Sequence, residues 1–277
     1  MRSTIYHIQS EALQPFVQYI LFNQCSENES PERIISFPNT NYCLGIQKDT
    51  AISMDTNGMH TRPESGIHTY ISGLYTSPHV FHQTGKLDEI CIDFTMAGYF
   101  RFFPWPPLCY QLNNQILTLS FGAQANTFFH TIFQQADLQL RGQGIEQFLL
   151  FCIQRKTHAI HDFHYLLAEP LYDFSVSALA HQLKLSERST QRFFRKHFAI
   201  TPKQYLRIRR FRSMLEAYKE TDINTASWES LAYTGGYFDY SHLYRELKQL
   251  TGLNPTSFFE AIEQIDSTVI VGTERVN

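Results

Sequence analysis

A short helix, a tight turn and a second helix occur twice in the last third of this chain, about fifty residues apart, and that duplication limits its fold more than any other feature. In the first copy, Ser175 precedes Val176, Leu179 and Leu183 at helical spacing, and Ser186 stands where it can cap a helix beginning at Glu187. In the second copy, Leu231-Ala232 answers Leu179-Ala180, and Gly235-Gly236 offers the left-handed backbone a turn needs. Asp239 is placed to cap the next helix, whose Leu243 and Leu247 face inward. Thr201-Pro202 and Asn254-Pro255 close the two copies in the same way.

Charge adds a second constraint. Residues 184–219 hold eleven basic side chains and two acidic ones, in a chain whose net charge is −3. A local excess of this size on helices is the footprint of a surface that meets phosphates. On the helix starting at Glu187, Arg188, Gln191, Arg192 and Arg195 share one face, while Thr190, Phe193, Phe194 and His197 point away from it. Arg pairs bidentately with guanine and Gln with adenine in the major groove, so this face carries the donors that base reading requires. A solvated basic face would look similar in one copy; two copies favour DNA. The second copy, residues 228–256, has two basic and three acidic residues, so the first is expected to dominate affinity and the second to set register.

These residues resemble the AraC/XylS class of transcriptional regulators. In the first copy the resemblance is carried by Leu179-Ala180, Ser186, Arg188 and Arg192. In the second it is carried by Ala232, Gly236-Tyr237, Asp239, Ser241, Leu243, Arg245, Leu247-Lys248, Gly252 and Asn254-Pro255. Three positions depart from the usual pattern: Lys184 and Ala199 stand where the class has Gly, and Thr190 where it has Leu. The resemblance implies two helix-turn-helix units on a connecting helix from about Pro202 to Lys219, reading successive major grooves of promoter DNA. It makes Arg188, Gln191 and Arg192 base readers, with Arg195 and Lys196 nearer the backbone, and Ser241, His242 and Arg245 the matching positions of the second unit, where the helix pattern also leaves Tyr240 and Lys248 available for contact. It further implies a small-molecule effector, contact with RNA polymerase and a homodimer. Arg207 and Arg209, on the connecting helix, are expected to hold phosphates.

The N-terminal half has a different period. Tyr42, Leu44 and Ile46 alternate with Cys43 and Gly45, and Ile90, Ile92 and Phe94 with Cys91 and Asp93. Turn residues at 39–41, 57–58, 63–66 and 84–86 punctuate these runs, which predicts an antiparallel barrel or sandwich. Ile71-Ser72-Gly73, Thr76-Ser77-Pro78 and Ile92-Asp93-Phe94 followed by Gly98-Tyr99 faintly resemble the barrel-like sensor half of the same class. A helical pattern is expected at 5–24, and two helices over 120–157 broken by Gly142 and Gly144. Tyr42, Tyr70, Tyr75, Phe81 and Asp93 are the candidate ligand contacts, although an aromatic interior is equally what a core looks like.

The expected fold class is therefore α+β in two domains. Residues 1–158 form an antiparallel β-barrel, cupin-like domain with following helices, and residues 159–266 an all-α domain with two helix-turn-helix units. Residues 267–277 form a fraying tail. Five scattered Cys without a CxxC pair argue against a disulfide framework or zinc knuckle, and no apolar leader or membrane span is visible, so the cytoplasm is expected. No cofactor, metal ligand or catalytic residue is assigned. The alternative from another class is a cupin-like, metal-dependent enzyme fused to a DNA-binding module, with His79 and His82 as its nearest pair of candidate ligands.

Overall fold

The computed structural model describes residues 2–27, 32–55, 58–103, 110–112, 115–155, 173–220, 228–266 and 269–275. The expected domain boundary between residues 158 and 159 lies outside them. The N-terminal strands are β1 (Arg2–His7), β2 (Val17–Cys25), β3 (Glu32–Ser36), β4 (Tyr42–Asp55), β5 (Gly58–Ser72), β6 (His79–Gln83), β7 (Leu87–Phe94) and β8 (Tyr110–Leu112). Two more, β9 (Ile262–Asp266) and β10 (Val269–Arg275), come from the far end of the chain. All join one curled sheet in the order β1-β2-β7-β4-β5-β6-β3-β10-β9, with β8 pairing with β5.

The pairs are antiparallel except β5 with β6, which run parallel over a two-residue register, Met59 opposite Phe81 and His60 opposite His82. The sheet is thus mixed where an antiparallel barrel was expected. The chain reaches β6 through residues 73–78, which carry it back to re-enter in the same direction as β5. Nor does the chain simply fray after Ile265: β10 pairs with β3 from Val271 opposite Ser36 to Arg275 opposite Glu32, so a hairpin covers an edge that would otherwise be open.

Alternation along the central strands divides the sheet into two faces. Ile20, Phe22, Leu44, Ile46, Ile90, Ile92 and Phe94 lie on one face, fully buried in the main core. Tyr19, Leu21, Asn23, Cys43, Gln47, Glu89, Cys91 and Asp93 lie on the other and line a cavity. The core face is covered by α1 (Met96–Phe102), α2 (Ile116–Phe121), α3 (Gln124–Ile132) and α4 (Leu138–Arg155). The helix expected over 5–24 is instead β1 and β2, paired from Arg2 opposite Gln24 to His7 opposite Tyr19. Both faces of β2 are buried, so its apolar residues lose the period of two and mimic a helical stripe.

Gly142 and Gly144 do not break a helix; both lie inside α4. They are small because neighbours are close: a Cβ on Gly142 would sit 2.3 Å from the Tyr6 ring, and one on Gly144 2.8 Å from Ile132 Cδ1. Arg141, almost fully buried beside them, bonds Asp88 at 2.7 Å and ties α4 to β7.

The C-terminal helices are α5 (Val176–Gln182), α6 (Glu187–Phe198), α7 (Pro202–Glu220), α8 (Trp228–Thr234), α9 (Tyr240–Thr251) and α10 (Pro255–Ala261). Ser175, Ser186 and Asp239 cap α5, α6 and α9 by accepting from the amides of Ala178, Ser189 and His242. The core of the first unit (Leu179, Leu183, Phe194, Phe198) is continuous with that of the sheet and its helices. The second unit packs with the buried Phe37, whose ring meets Phe258 at 5.0 Å.

Candidate nucleic-acid interface and sheet cavity

Each turn of the paired units is built from backbone that the sequence could only partly signal. In the first unit Lys184 adopts φ 55° and Ala199 φ 56°, the left-handed region, at the two places where a non-glycine side chain was noted. In the second unit Gly236 and Gly252 are left-handed, both at φ 80°. Gly235 serves a different need: a Cβ there would lie 2.7 Å from Met214, so α8 sits against α7 only because that position is bare.

The anchor of α6 is Thr190, Phe194 and Phe198, all buried, with Thr190 Oγ1 donating to the Ser186 carbonyl at 3.0 Å. Opposite them Arg188, Gln191, Arg192, Arg195 and Lys196 are all exposed. The five expected contact residues of the first unit thus share one solvent-facing surface.

The second unit is less free. Ser241, Arg245 and Lys248 are exposed on α9, and Arg245 Nε donates back to the Ser241 carbonyl at 3.2 Å. His242 is half-buried; its Nδ1 accepts from the Phe238 amide at 3.3 Å and its ring stands edge-on to Tyr237, so it shapes the turn. Tyr240 packs between Trp228 and Tyr244. Phe238 and Tyr233, 89% and 81% exposed, flank this turn. Sequence reading passed over both, because an apolar residue beside a cap is ordinarily folded back onto the helix.

Connecting helix α7 directs several of its arginines inward. Arg207 bonds Glu246 at 2.8 Å and Gln249 at 2.6 Å, and Arg210 bonds Glu246 at 3.4 Å while lying over the rings of Phe174 and Tyr237. Arg207 therefore fastens α9 to α7 and is not poised for phosphate. Arg209 is half-buried with its guanidinium over the Tyr205 ring.

Arg212 leaves the helical domain altogether. Its Nε donates to the Pro38 carbonyl at 2.7 Å and Nη2 to the Phe37 carbonyl at 3.0 Å, and it lines the sheet cavity. That cavity, of about 150 Å³, also holds four of the five expected ligand contacts: Tyr70, Tyr75, Phe81 and Asp93. Tyr42 is elsewhere. It lies on the core face of β4, 1% exposed with its ring tilted against that of Tyr99 at 4.3 Å, because odd and even residues of that strand face opposite ways. Only its basic charge marked Arg212 in the sequence; nothing local signals which way it points.

Within the cavity Glu89 accepts from Asn23 at 2.8 Å, Gln47 at 2.7 Å and Tyr70 at 3.0 Å. Tyr75 donates to the Phe37 carbonyl at 2.8 Å. Burial pushes the Asp93 carboxyl up to about 7, against the opposing pull of Tyr19, Asn41 and Arg212. His79 stacks on Tyr75 at 4.2 Å and His82 on His60 at 4.7 Å. Among the described residues no three His, Cys, Asp or Glu side chains group to hold a metal, and no helix is long and apolar enough to cross a membrane.

Comparison with known proteins agrees with the C-terminal geometry. Residues 179–261 match the sequence model of a helix-turn-helix domain family. Among curated sequences none matches this chain significantly. Similar solved structures include ToxT from Vibrio cholerae, with 10% identity, a TM-score of 0.47, and coverage of 87% of this chain and 98% of that one. Another is wild-type ToxT of Vibrio cholerae strain SCE256 bound to an unsaturated fatty acid, with 12% identity, a TM-score of 0.44, and coverage of 86% and 94%. Residues 179–261, which match that model, hold two helix pairs joined by α7, and this segment of the chain is a helix-turn-helix domain.

Proposed function

We propose that this protein is a sequence-specific transcription regulator that reads promoter DNA with α6 and α9 and responds to a small molecule held in the sheet cavity. The observation that carries the reading is the exposed row Arg188, Gln191, Arg192, Arg195 and Lys196 on an α6 whose opposite side is buried. Long forked donors on a rigid helix are what base edges in the major groove require, and the surrounding cations supply sequence-independent affinity through counterion release. Discrimination is assigned to Arg188, Gln191 and Arg192, with Ser241, Arg245 and Lys248 contributing from the second unit. Residues 1–158 are assigned to sensing and self-association and residues 159–266 to DNA, the β9–β10 hairpin returning to the sheet.

The test is selection of bound fragments from genomic DNA by the purified protein, followed by titration of the winner at several salt concentrations. A recurring motif in two blocks about one helical turn apart, bound with a steep salt slope, supports the reading. Binding without sequence preference overturns it.

A further inference from the structure

The cavity contains two ionisable groups of opposite sign, Asp93 and Arg212, that are not paired with each other among the described residues. Glu89 is saturated by Asn23, Gln47 and Tyr70. Asp93 is not: its Oδ2 accepts from Tyr19 at 2.9 Å, while its buried Oδ1 has no hydrogen-bond partner among the described residues. Nearby Asn41 donates to Gln18 and also lies close enough to favour the charged form of Asp93. Arg212 enters from α7, held by the carbonyls of Phe37 and Pro38. Asp93 and Arg212 are within electrostatic reach of each other, yet form no ion pair among the described residues. The cavity that they line also offers apolar surface from Leu21, Ile34, Phe37 and Phe81.

Burial of a charge is costly unless it is paired and hydrogen-bonded. A simple amine would satisfy Asp93 and leave Arg212 as it is; a simple carboxylate would meet Arg212 but face the unsatisfied oxygen of Asp93. A ligand that carries both charges and an apolar remainder meets Asp93 Oδ1 and sets its anion beside Arg212. We propose that the cavity binds a zwitterionic α-amino acid with an apolar side chain, its ammonium group on Asp93 Oδ1 and its carboxylate on Arg212. This rests on the effector reading above and gives it a chemical class. Because Arg212 belongs to the helix that carries both DNA-reading units, such a ligand touches both halves of the chain. Any effect of its occupancy on DNA affinity would be matched by an equal effect of DNA on its own affinity.

Titration calorimetry on the full chain tests this with L-phenylalanine and L-leucine, set against phenethylamine and 3-phenylpropionate, which each lack one pole. At least one amino acid is expected to bind tenfold or more tighter than either single-pole compound. Asp93→Asn, nearly the same shape, should weaken amino-acid binding at least tenfold while leaving 3-phenylpropionate unchanged or improved. Arg212→Lys, which keeps the charge, should retain part of the affinity. The proposal is overturned if neither amino acid binds, or if 3-phenylpropionate binds the wild type as well as L-phenylalanine does. DNA selection on the same preparation separates the two readings: specific DNA binding without amino-acid binding sinks only the ligand class, and the reverse sinks only the regulator.

Discussion

Arg212, on the helix that joins the two helix-turn-helix units, donates through Nε to the carbonyl of Pro38, 2.7 Å away beyond the end of β3. Pro38 and its neighbour Phe37 are buried, so these carbonyls have little recourse to water. Arg212→Met should lower stability by about 2–4 kcal/mol, and Arg212→Lys by about half that, since hydrogen bonds to charged groups contribute ~1.5–3 kcal/mol each. Equilibrium urea unfolding measures the loss; an unchanged midpoint in both variants would show that the contact is incidental.

Arg188→Ala should reduce the ratio of specific to nonspecific DNA affinity by about 1–3 kcal/mol, the discrimination of one bidentate base contact. Lys196→Ala should weaken all sequences alike and lower the salt slope by about one. Competition titrations with matched and scrambled fragments distinguish them, and the same behaviour from both variants would mean that the reading face is misassigned.

Glu246 accepts from both Arg207 and Arg210 and is mostly buried. Its replacement by Ala leaves two guanidinium groups facing a vacated site between α7 and α9. Destabilisation by about 1–3 kcal/mol is expected, with Gln closer to wild type. Hydrogen exchange should locate the loss in α8 and α9; protection unchanged there would rule out a clamp.

Ala199 ends α6 at φ 56°. A left-handed backbone costs a residue with a Cβ roughly 1–2 kcal/mol, whereas Gly adopts it freely at some entropic cost in the unfolded chain. Ala199→Gly should therefore stabilise by about 0.5–1 kcal/mol in denaturant titration. A lower midpoint would contradict the argument.

Asp93 has a pKa raised by burial to about 7, against an unfolded value near 3.8. Between these values the folded state holds a proton that the unfolded state has released, so stability falls as pH rises through this window and levels off above it. The limiting slope is about 1.4 kcal/mol per pH unit. Wild type should lose stability relative to Asp93→Asn between pH 4 and 7; parallel curves would refute the raised pKa.

Local chemistry was legible wherever it decides the structure. Ser186 and Asp239 announce their helices through cap geometry that depends only on neighbouring residues, and the buried side of α6 follows from spacing. Tertiary constraints were not. The second strand, covered on both faces, imitates a helix, and Gly142 is dictated by the Tyr6 ring more than a hundred residues away. The direction of each arginine on α7 escaped for the same reason: Arg207 turns to Glu246 and Arg212 to Pro38, partners that sequence proximity does not reveal. Tyr42 and Cys43 show the limit inside one strand. Alternation separates them, but only the assembled sheet says which face is hollow.

The inequality of charge between the two helix-turn-helix units has a kinetic meaning. Long-range attraction governs how fast a protein meets DNA, and short-range fit how long it stays. On the proposed reading the exposed cations of α6 would govern the search, sensitive to ionic strength. The sparsely charged α9, with Phe238 exposed beside it, would engage only on arrival and act on residence time. Encounter and retention would then be set by different helices of one domain, so a change in either could tune occupancy of a promoter without altering the other.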